Sequence, residues 1–392
     1  MSELLEISGN VLRLPAFATA HSHAFQRGMR GRAQRPGPSG TDDFWSWRKE
    51  MYELAERLTP ESIYEISRVA YEELRQAGVL YVGEFHYVHH QPDGTPYEDR
   101  TLLAESVIRA AKDAGLKIAL LRVVYRRAGA GREPEGAQRR FADLSLDDAL
   151  RDVEELSSRY ANDEDVRIGI APHSVRAVPP SWLRPIAELA NERALPLHMH
   201  VAEQPAEIAA CLDETSMRPV ELLAKEGVLG PRFVAVHATH LEAHEARLLG
   251  EAKAFACLCP TTERDLGDGL PDLTALREAG VRICTGVDSH VLTDPFEDMR
   301  GIELGERLRT QKRVTDRGAE GTLAERLWLS ASHEGARAIG FPSVEGKVEL
   351  RRDAHQLALV DPDYLLDALV FSGSPALVAQ VVRAPSCTVE GT

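Results

Sequence analysis

Short runs of apolar and β-branched residues alternate along this chain with longer segments of helical period. The runs cover residues 15–20, 79–85, 117–124, 166–171, 195–201, 233–238, 254–258 and 281–287, eight in all. Their length and composition read as strands, and the intervening segments as helices. One helix start is explicit: Thr59 is placed to cap, Pro60 takes the first helical position, and Ile63, Ile66, Val69, Ala70 and Leu74 share a face. Strand–helix alternation implies parallel strands with crossover helices. Eight such units fit an α/β fold of the (β/α)8 TIM-like barrel type better than an open doubly wound sheet, because no G-x-G-x-x-G opens a helix. Beyond Ile339 the pattern changes to short β-like pieces at 347–350, 356–360 and 378–382. The expected organisation is a barrel over 15–341 and a small, reduced β-sandwich from 1–14 and 342–392. Residues 28–58, rich in Arg, Gly, Pro and Trp, form a long insertion before the first crossover helix, and such insertions are usually functional.

Composition narrows the partners. A chain of 392 residues with 43% hydrophobic content can bury a large core, and its net charge of −15 argues against nucleic acid or an anionic membrane surface. An acidic substrate would need local arginines. The first residues lack a basic segment followed by an apolar one, and no run approaches the roughly 20 apolar residues of a membrane span, so a cytoplasmic location is expected. The five cysteines, Cys211, Cys257, Cys259, Cys284 and Cys387, form no C-x-x-C pair and read as buried free thiols without a role.

The chemistry emerges when polar residues are placed on the strand rhythm. The first run ends in His21-Ser22-His23, the fourth in Pro172-His173-Ser174-Val175-Arg176, the fifth in His198-Met199-His200 with Glu203 beyond, the sixth in His237 and the eighth in Asp288-Ser289-His290. In a barrel these are the C-terminal strand ends, where active sites are built. Residues i and i+2 of a strand share a side, so His21 and His23 can converge on one metal ion. Hydrolysis by a metal-bound water is the chemistry that needs such a set, and His21, His23, His200 and Asp288 are the ligand candidates. His237 suits the role of a water-orienting base, and Glu203 could carry a proton from water to a departing nitrogen. The fourth run offers no lysine at its end, while Lys117 and Lys253 lie at strand starts, which favours one metal over two. One zinc per subunit is expected, with iron or manganese able to occupy the same ligands.

These residues, in this order and spacing, resemble the amidohydrolase superfamily and its single-metal deaminase branch. Longer blocks narrow the resemblance: His21 to Arg27, Phe44 to Arg48, Glu84 to His90, Ala171 to Ala177 and Cys259 to Glu263 are similar to the family that hydrolyses N-formimino-L-glutamate to N-formyl-L-glutamate and ammonia in histidine degradation. The resemblance implies His21, His23, His200 and Asp288 on the metal, with Glu203, His237 and Asp288 at the chemistry. It implies Gln26, Arg48, Tyr87, His173 and Arg176 around a small dicarboxylate substrate, and a homodimeric assembly. Guanidinium forks for two carboxylates and an acid for a cationic formimino group agree with that substrate. Members of the family usually carry a longer segment before the first metal motif than the 20 residues preceding His21, so the appended sheet is expected to be reduced. Other readings stay open: a different formimino compound, a ring C=N substrate of the purine or pterin type, or a metal-binding homologue without turnover. The arginines argue against a neutral ring, and Glu203 and His237 against mere storage. His86, His89 and His90 read as packing residues, and Trp45 and Trp47 as pinning the insertion to the barrel.

Overall fold

The computed structural model describes residues 4–35, 44–316, 318 and 321–383. Its strands are β1 (Glu6–Ser8), β2 (Val11–Pro15), β3 (Phe17–Ser22), β4 (Val79–His86), β5 (Lys117–Val124), β6 (Val166–Pro172), β7 (Leu197–Val201), β8 (Phe233–His237), β9 (Phe255–Leu258), β10 (Arg282–Thr285), β11 (Lys347–Arg351) and β12 (Val378–Val382). Strands β3 to β10 pair in sequential order, all parallel, as crossover helices require. They are apolar along nearly their whole length because helices cover one face and barrel side chains the other; all eight residues of β4 are buried. The ring closes just beyond β10: Asp288 N–H donates to His21 O at 3.1 Å and His23 N–H to Asp288 O at 2.9 Å.

The expected cap forms. Ser62 N–H donates to Thr59 Oγ1 at 3.1 Å and Thr59 N–H to Ser62 Oγ at 2.8 Å, opening a helix over Pro60–Gln76. Its buried face is Ile63, Ser67, Ala70, Tyr71 and Leu74, whereas Ile66 and Val69 are only half-buried. The insertion is not a plain loop. Ala24–Met29 forms a tight 3-10 turn and Phe44–Ala55 a helix, while 36–43 lie outside the described residues.

Among the described residues, both ends of the chain form one four-stranded antiparallel sheet, ordered β1-β2-β11-β12, rather than two packed sheets. The expected strand at 356–360 is instead a short 3-10 turn, His355–Leu357, followed by exposed Leu359 at φ +61°. The positive φ at Leu359 interrupts the extended backbone that a strand through 356–360 would need. Only Ala16 separates β2 from β3, and Trp328 Nε1 donates to Pro15 O at 3.0 Å, which ties the small sheet to the barrel. Expected positions 1–3 and 384–392, including Cys387, lie outside the described residues; Cys211, Cys257, Cys259 and Cys284 are buried free thiols.

Candidate active site

Strand alternation and barrel closure together build a cradle of ring nitrogens. His21 and His23 point to one side of the β3 end, while Ser22 points to the other, donating to Glu84 Oε2 at 2.6 Å and lying 2.8 Å from His290 Nε2. Strand β7 brings His200 against them. The three Nε2 atoms are separated by 3.1 Å (His21–His23), 3.2 Å (His21–His200) and 3.4 Å (His23–His200). Asp288, delivered by the closure contact, places Oδ1 3.6 Å from His21 Nε2 and 3.5 Å from His23 Nε2.

The donor set fits a metal ion. His23 Nδ1 faces Phe85 O and His200 Nδ1 faces His173 O, each at 3.0 Å. A carbonyl can only accept, so both Nδ1 atoms carry the proton and both Nε2 lone pairs are free. Burial lowers the pKa of His21, pushes His23 down to about 3 and holds His200 well below its ordinary value, so the rings are neutral. For Asp288, burial is opposed and outweighed by the His21 hydrogen bond and the surrounding histidines, leaving the carboxyl below its usual range. Three lone pairs facing one another repel unless a cation lies between them, and zinc–nitrogen bonds of about 2.0–2.1 Å in a tetrahedron set the nitrogens about 3.3 Å apart.

Above the cradle sit the groups for proton transfer. His237, at the end of β8, lies with Nε2 3.7 Å from Glu203 Oε1 and 3.7 Å from Asp288 Oδ2. Its Nδ1 is 3.3 Å from Glu263 Oε1, which also accepts from Cys259 N–H at 2.8 Å. Burial disfavours the imidazolium, but Glu203, Glu263 and Asp288 raise the His237 pKa well above its ordinary value. Burial raises the Glu203 carboxyl in turn. The strand ends here turn sharply: Ala202, His237, Ala238 and Asp288 all have φ between +52° and +68°, a region that costs a non-glycine residue on the order of 1 kcal/mol or more. Strain of this kind is tolerated where the surroundings over-determine the position.

All five expected substrate-facing residues line the same pocket as His23, His200, Glu203, His237 and Asp288; His21 lies fully buried beneath. Gln26 Nε2 donates to Tyr87 Oη at 2.8 Å, leaving its buried Oε1 without a partner among the described residues. His173 packs its ring 4.9 Å from that of His200 and positions it through the carbonyl described above. Arg176 has a buried Nη1 without a partner among the described residues. Arg48 comes from the Phe44–Ala55 helix of the insertion, where Trp47 also faces the pocket. Trp45 is 44% exposed, with its ring against Phe44 and the Arg48 guanidinium.

Sequence reasoning passed over several residues. Glu263 stood inside a recognised block, but only the fold brings it to His237 Nδ1. Glu207 lines the pocket, accepts from Ala202 N–H at 3.0 Å, and is pushed by burial up to about 7. Asp268 accepts from Gln204 Nε2 at 2.5 Å, and burial together with Glu203 pushes it up to about 8. A helical spacing of four from Glu203 was the available signal for Glu207; nothing local marked Asp268.

A barrel with one buried His/His/His/Asp cradle and acids poised over it defines a class. The sequence profile of the amidohydrolase family matches residues 12–384, and the chain belongs to that family. It is a hydrolytic deiminase of this metal-dependent family. A formimidoylglutamate deiminase from Pseudomonas aeruginosa is 37% identical over 385 residues, covering 95% of this chain and 83% of that protein. The 8-oxoguanine deaminase of the same organism is 30% identical over 364 residues, covering 92% and 76%. The crystal structure of an amidohydrolase from Brucella melitensis superposes with a TM-score of 0.84 at 33% identity, covering 95% of this chain and 90% of that one. An adenosine deaminase from Xanthomonas campestris, solved with bound zinc, shares the fold at a TM-score of 0.79 and 20% identity, covering 95% and 79%. Among the described residues, no helix is long and apolar enough to cross a membrane.

Proposed function

We propose that this chain hydrolyses N-formimino-L-glutamate to N-formyl-L-glutamate and ammonia. The observation that carries the reading is the pairing of two arginines, Arg48 and Arg176, with no carboxylate partner among the described residues, in the pocket that opens onto the metal cradle. A substrate with two carboxylates answers these two guanidiniums, and the 37% identical formimidoylglutamate deiminase supports the same reading.

His21, His23, His200 and Asp288 would hold the metal, most simply zinc, which when bound supplies a Lewis acid that activates water and polarises the C=N bond. The residues do the rest. Glu203 accepts a proton from the attacking water, with His237 orienting that water from the other side. Oxygen bonds to the formimino carbon, Glu203 returns the proton to the terminal nitrogen, and as the C–N bond breaks the remaining hydroxyl proton passes through Glu203 to the departing ammonia, leaving a formyl C=O and NH4⁺. The balance is R–NH–CH=NH2⁺ plus water giving R–NH–CHO plus NH4⁺. A Glu203 carboxyl raised by burial suits both halves of this transfer. Glu207 and Asp268 add acidic character on the side where the cationic nitrogen departs, and the free Gln26 Oε1 can accept an N–H of the substrate.

The test measures ammonia release from N-formimino-L-glutamate, N-formimino-L-aspartate and guanine, with metal analysis of the same samples. The expected result is turnover of the glutamate derivative foremost. Glu203→Gln should keep the metal and lose about 10²–10⁴-fold in kcat, whereas Asp288→Ala should weaken both metal retention and turnover. Turnover of the ring substrate alone would overturn the substrate assignment, and metal loss in the Glu203 variant would overturn the role of that residue.

A further inference from the structure

We propose that Tyr52 and Tyr125 form, with Arg48, a subsite for the distal carboxylate of the substrate, and that Gln138 sets its hydrogen-bond polarity. The proposal rests on the dicarboxylate reading above and assigns that site three further residues. Gln138 lies in the short turn Gly136–Arg140 that follows β5, and it is buried. Its Oε1 accepts Glu135 N–H at 3.2 Å, which fixes the orientation of the amide. The opposite edge, Nε2, therefore donates, to Tyr125 Oη at 3.0 Å and to Tyr52 Oη at 3.1 Å. Both amide hydrogens are used.

The two phenol oxygens are thereby made acceptors. Tyr52 Oη also accepts from Arg48 Nε. Arg48 and Gln138 thus fill both lone pairs of the Tyr52 oxygen, and Tyr125 Oη keeps one lone pair, so the two hydroxyl hydrogens share a single acceptor within the cluster and at least one is left for a ligand. Both rings line the pocket, and so do Arg48 and Arg176. Donors outnumber acceptors at this wall, and a carboxylate supplies the missing acceptor. A neutral amide would bring an NH2 against the same donors and leave it unpaired.

Position decides which carboxylate. The His173 ring lies 4.9 Å from that of His200 in the cradle, and the Tyr125 ring lies 5.2 Å from His173, with no ring contact of Tyr125 to His21, His23 or His200 among the described residues. The tyrosines are thus a full ring layer removed from the metal ligands, and neither Tyr52 nor Gln138 touches the cradle. The γ-carboxylate, remote from the reacting carbon, is the group that reaches them.

The test uses the metal-loaded protein and two unreactive probes, N-acetyl-L-glutamate and its isosteric amide N-acetyl-L-glutamine, with binding read by calorimetry. Wild type should prefer the glutamate probe. Tyr52→Phe and Tyr125→Phe, which keep ring volume, should each reduce that preference by about tenfold. Gln138→Glu turns an acceptor toward the tyrosines, drawing their hydrogens away from the pocket, and should reduce the preference at least as far; a role confined to packing would weaken both probes alike. KM for N-formimino-L-glutamate should rise in parallel. An unchanged glutamate-over-glutamine preference in all three variants would overturn the proposal. If the preference falls as expected while wild type releases no ammonia from N-formimino-L-glutamate, the subsite stands and the substrate assignment fails.

Discussion

Two groups of histidines lie at the same end of the barrel, equally buried, with opposite chemistry. His21, His23 and His200 turn their Nε2 atoms toward one point, 3.1–3.4 Å apart, with Asp288 beside them. His86 ends β4 and His89 and His90 follow it, and there His89 Nε2 meets Val123 O at 2.9 Å and His90 Nε2 meets Ala142 O at 3.1 Å. The neighbouring charge differs as well. The second group borders Arg122, whose guanidinium reaches both oxygens of Asp143 at 2.6 and 2.8 Å and Asp152 at 2.6 Å. Burial keeps both groups neutral, pushing His23 and His86 alike down to about 3. Neutrality is therefore not what makes a ligand. The direction of the free lone pair does, reinforced beside His86 and His89 by the Arg122 charge, so that a cation is drawn to the first group and not to the second.

The comparison breaks most visibly at the metal. His200→Asn should reduce bound metal from about one equivalent to below a tenth, and turnover should fall by about 10⁴-fold or more with it. His89→Asn should retain the full equivalent, since its Nε2 serves a backbone carbonyl. Elemental analysis of gel-filtered protein decides the matter, and equal metal loss in both variants would erase the distinction drawn here.

Sequence carried the first group further than the second. The H-x-H pair is legible because strand alternation is local, and the barrel rhythm puts His200 and Asp288 at matching strand ends. That Asp288 touches this pair depends on barrel closure, which the eight-strand pattern implies. The carbonyl partners of His89 and His90 come from segments 34 and 52 residues away, and no local pattern encodes such pairings. Gln138 and Tyr52 are 86 residues apart in the chain, and Glu263 lies 26 residues from His237, so the polar wall and the acid behind His237 were invisible for the same reason. The run at 356–360 shows the converse: its local pattern favours a strand, but the chain takes a 3-10 turn at His355–Leu357 and a positive φ at Leu359, which break the extended backbone. Arg48 lay between these cases. Its block was recognisable, yet only the helix over Phe44–Ala55 turns it toward Tyr52.

The charge beside the second group offers a sharper, smaller test. Arg122 is 1% exposed and Asp143 is fully buried, so Asp143→Ala leaves an uncompensated guanidinium in the interior. Removal of one partner of a buried pair costs about 3–5 kcal/mol. Asp152 still holds one guanidinium nitrogen and moderates the loss toward the lower figure. Urea unfolding monitored by circular dichroism should show this destabilisation, with metal content per folded molecule unchanged because the cradle shares no ligand with this network. A cost under about 1 kcal/mol would mean that Asp152 and the Val123 carbonyl satisfy Arg122 without Asp143, and that the Arg122–Asp143 pair contributes nothing beside the second group.

The smallest effect is a slope. Burial first, and the Arg122 charge second, hold His86 down to about 3 in the folded chain, against an ordinary value near 6.5. Between those two values the unfolded chain binds a proton at this ring and the folded chain does not. Stability from His86 is therefore fully present above about pH 6.5 and is lost as the pH falls toward 3, at about 1.4 kcal/mol per pH unit. His86→Gln removes the titration but keeps an amide able to hydrogen-bond, so its stability relative to wild type should improve on acidification by about that amount per unit. Urea midpoints for both proteins at several values between pH 7 and 5 measure the difference. Since His86 is not a metal ligand, the slope difference should persist in metal-stripped protein, whereas the acid sensitivity contributed by His21, His23 and His200 should depend on metal loading, because protons and the metal compete for the same lone pairs. A His86 slope that vanished on stripping would place this ring in the cradle's equilibrium and collapse the two groups into one.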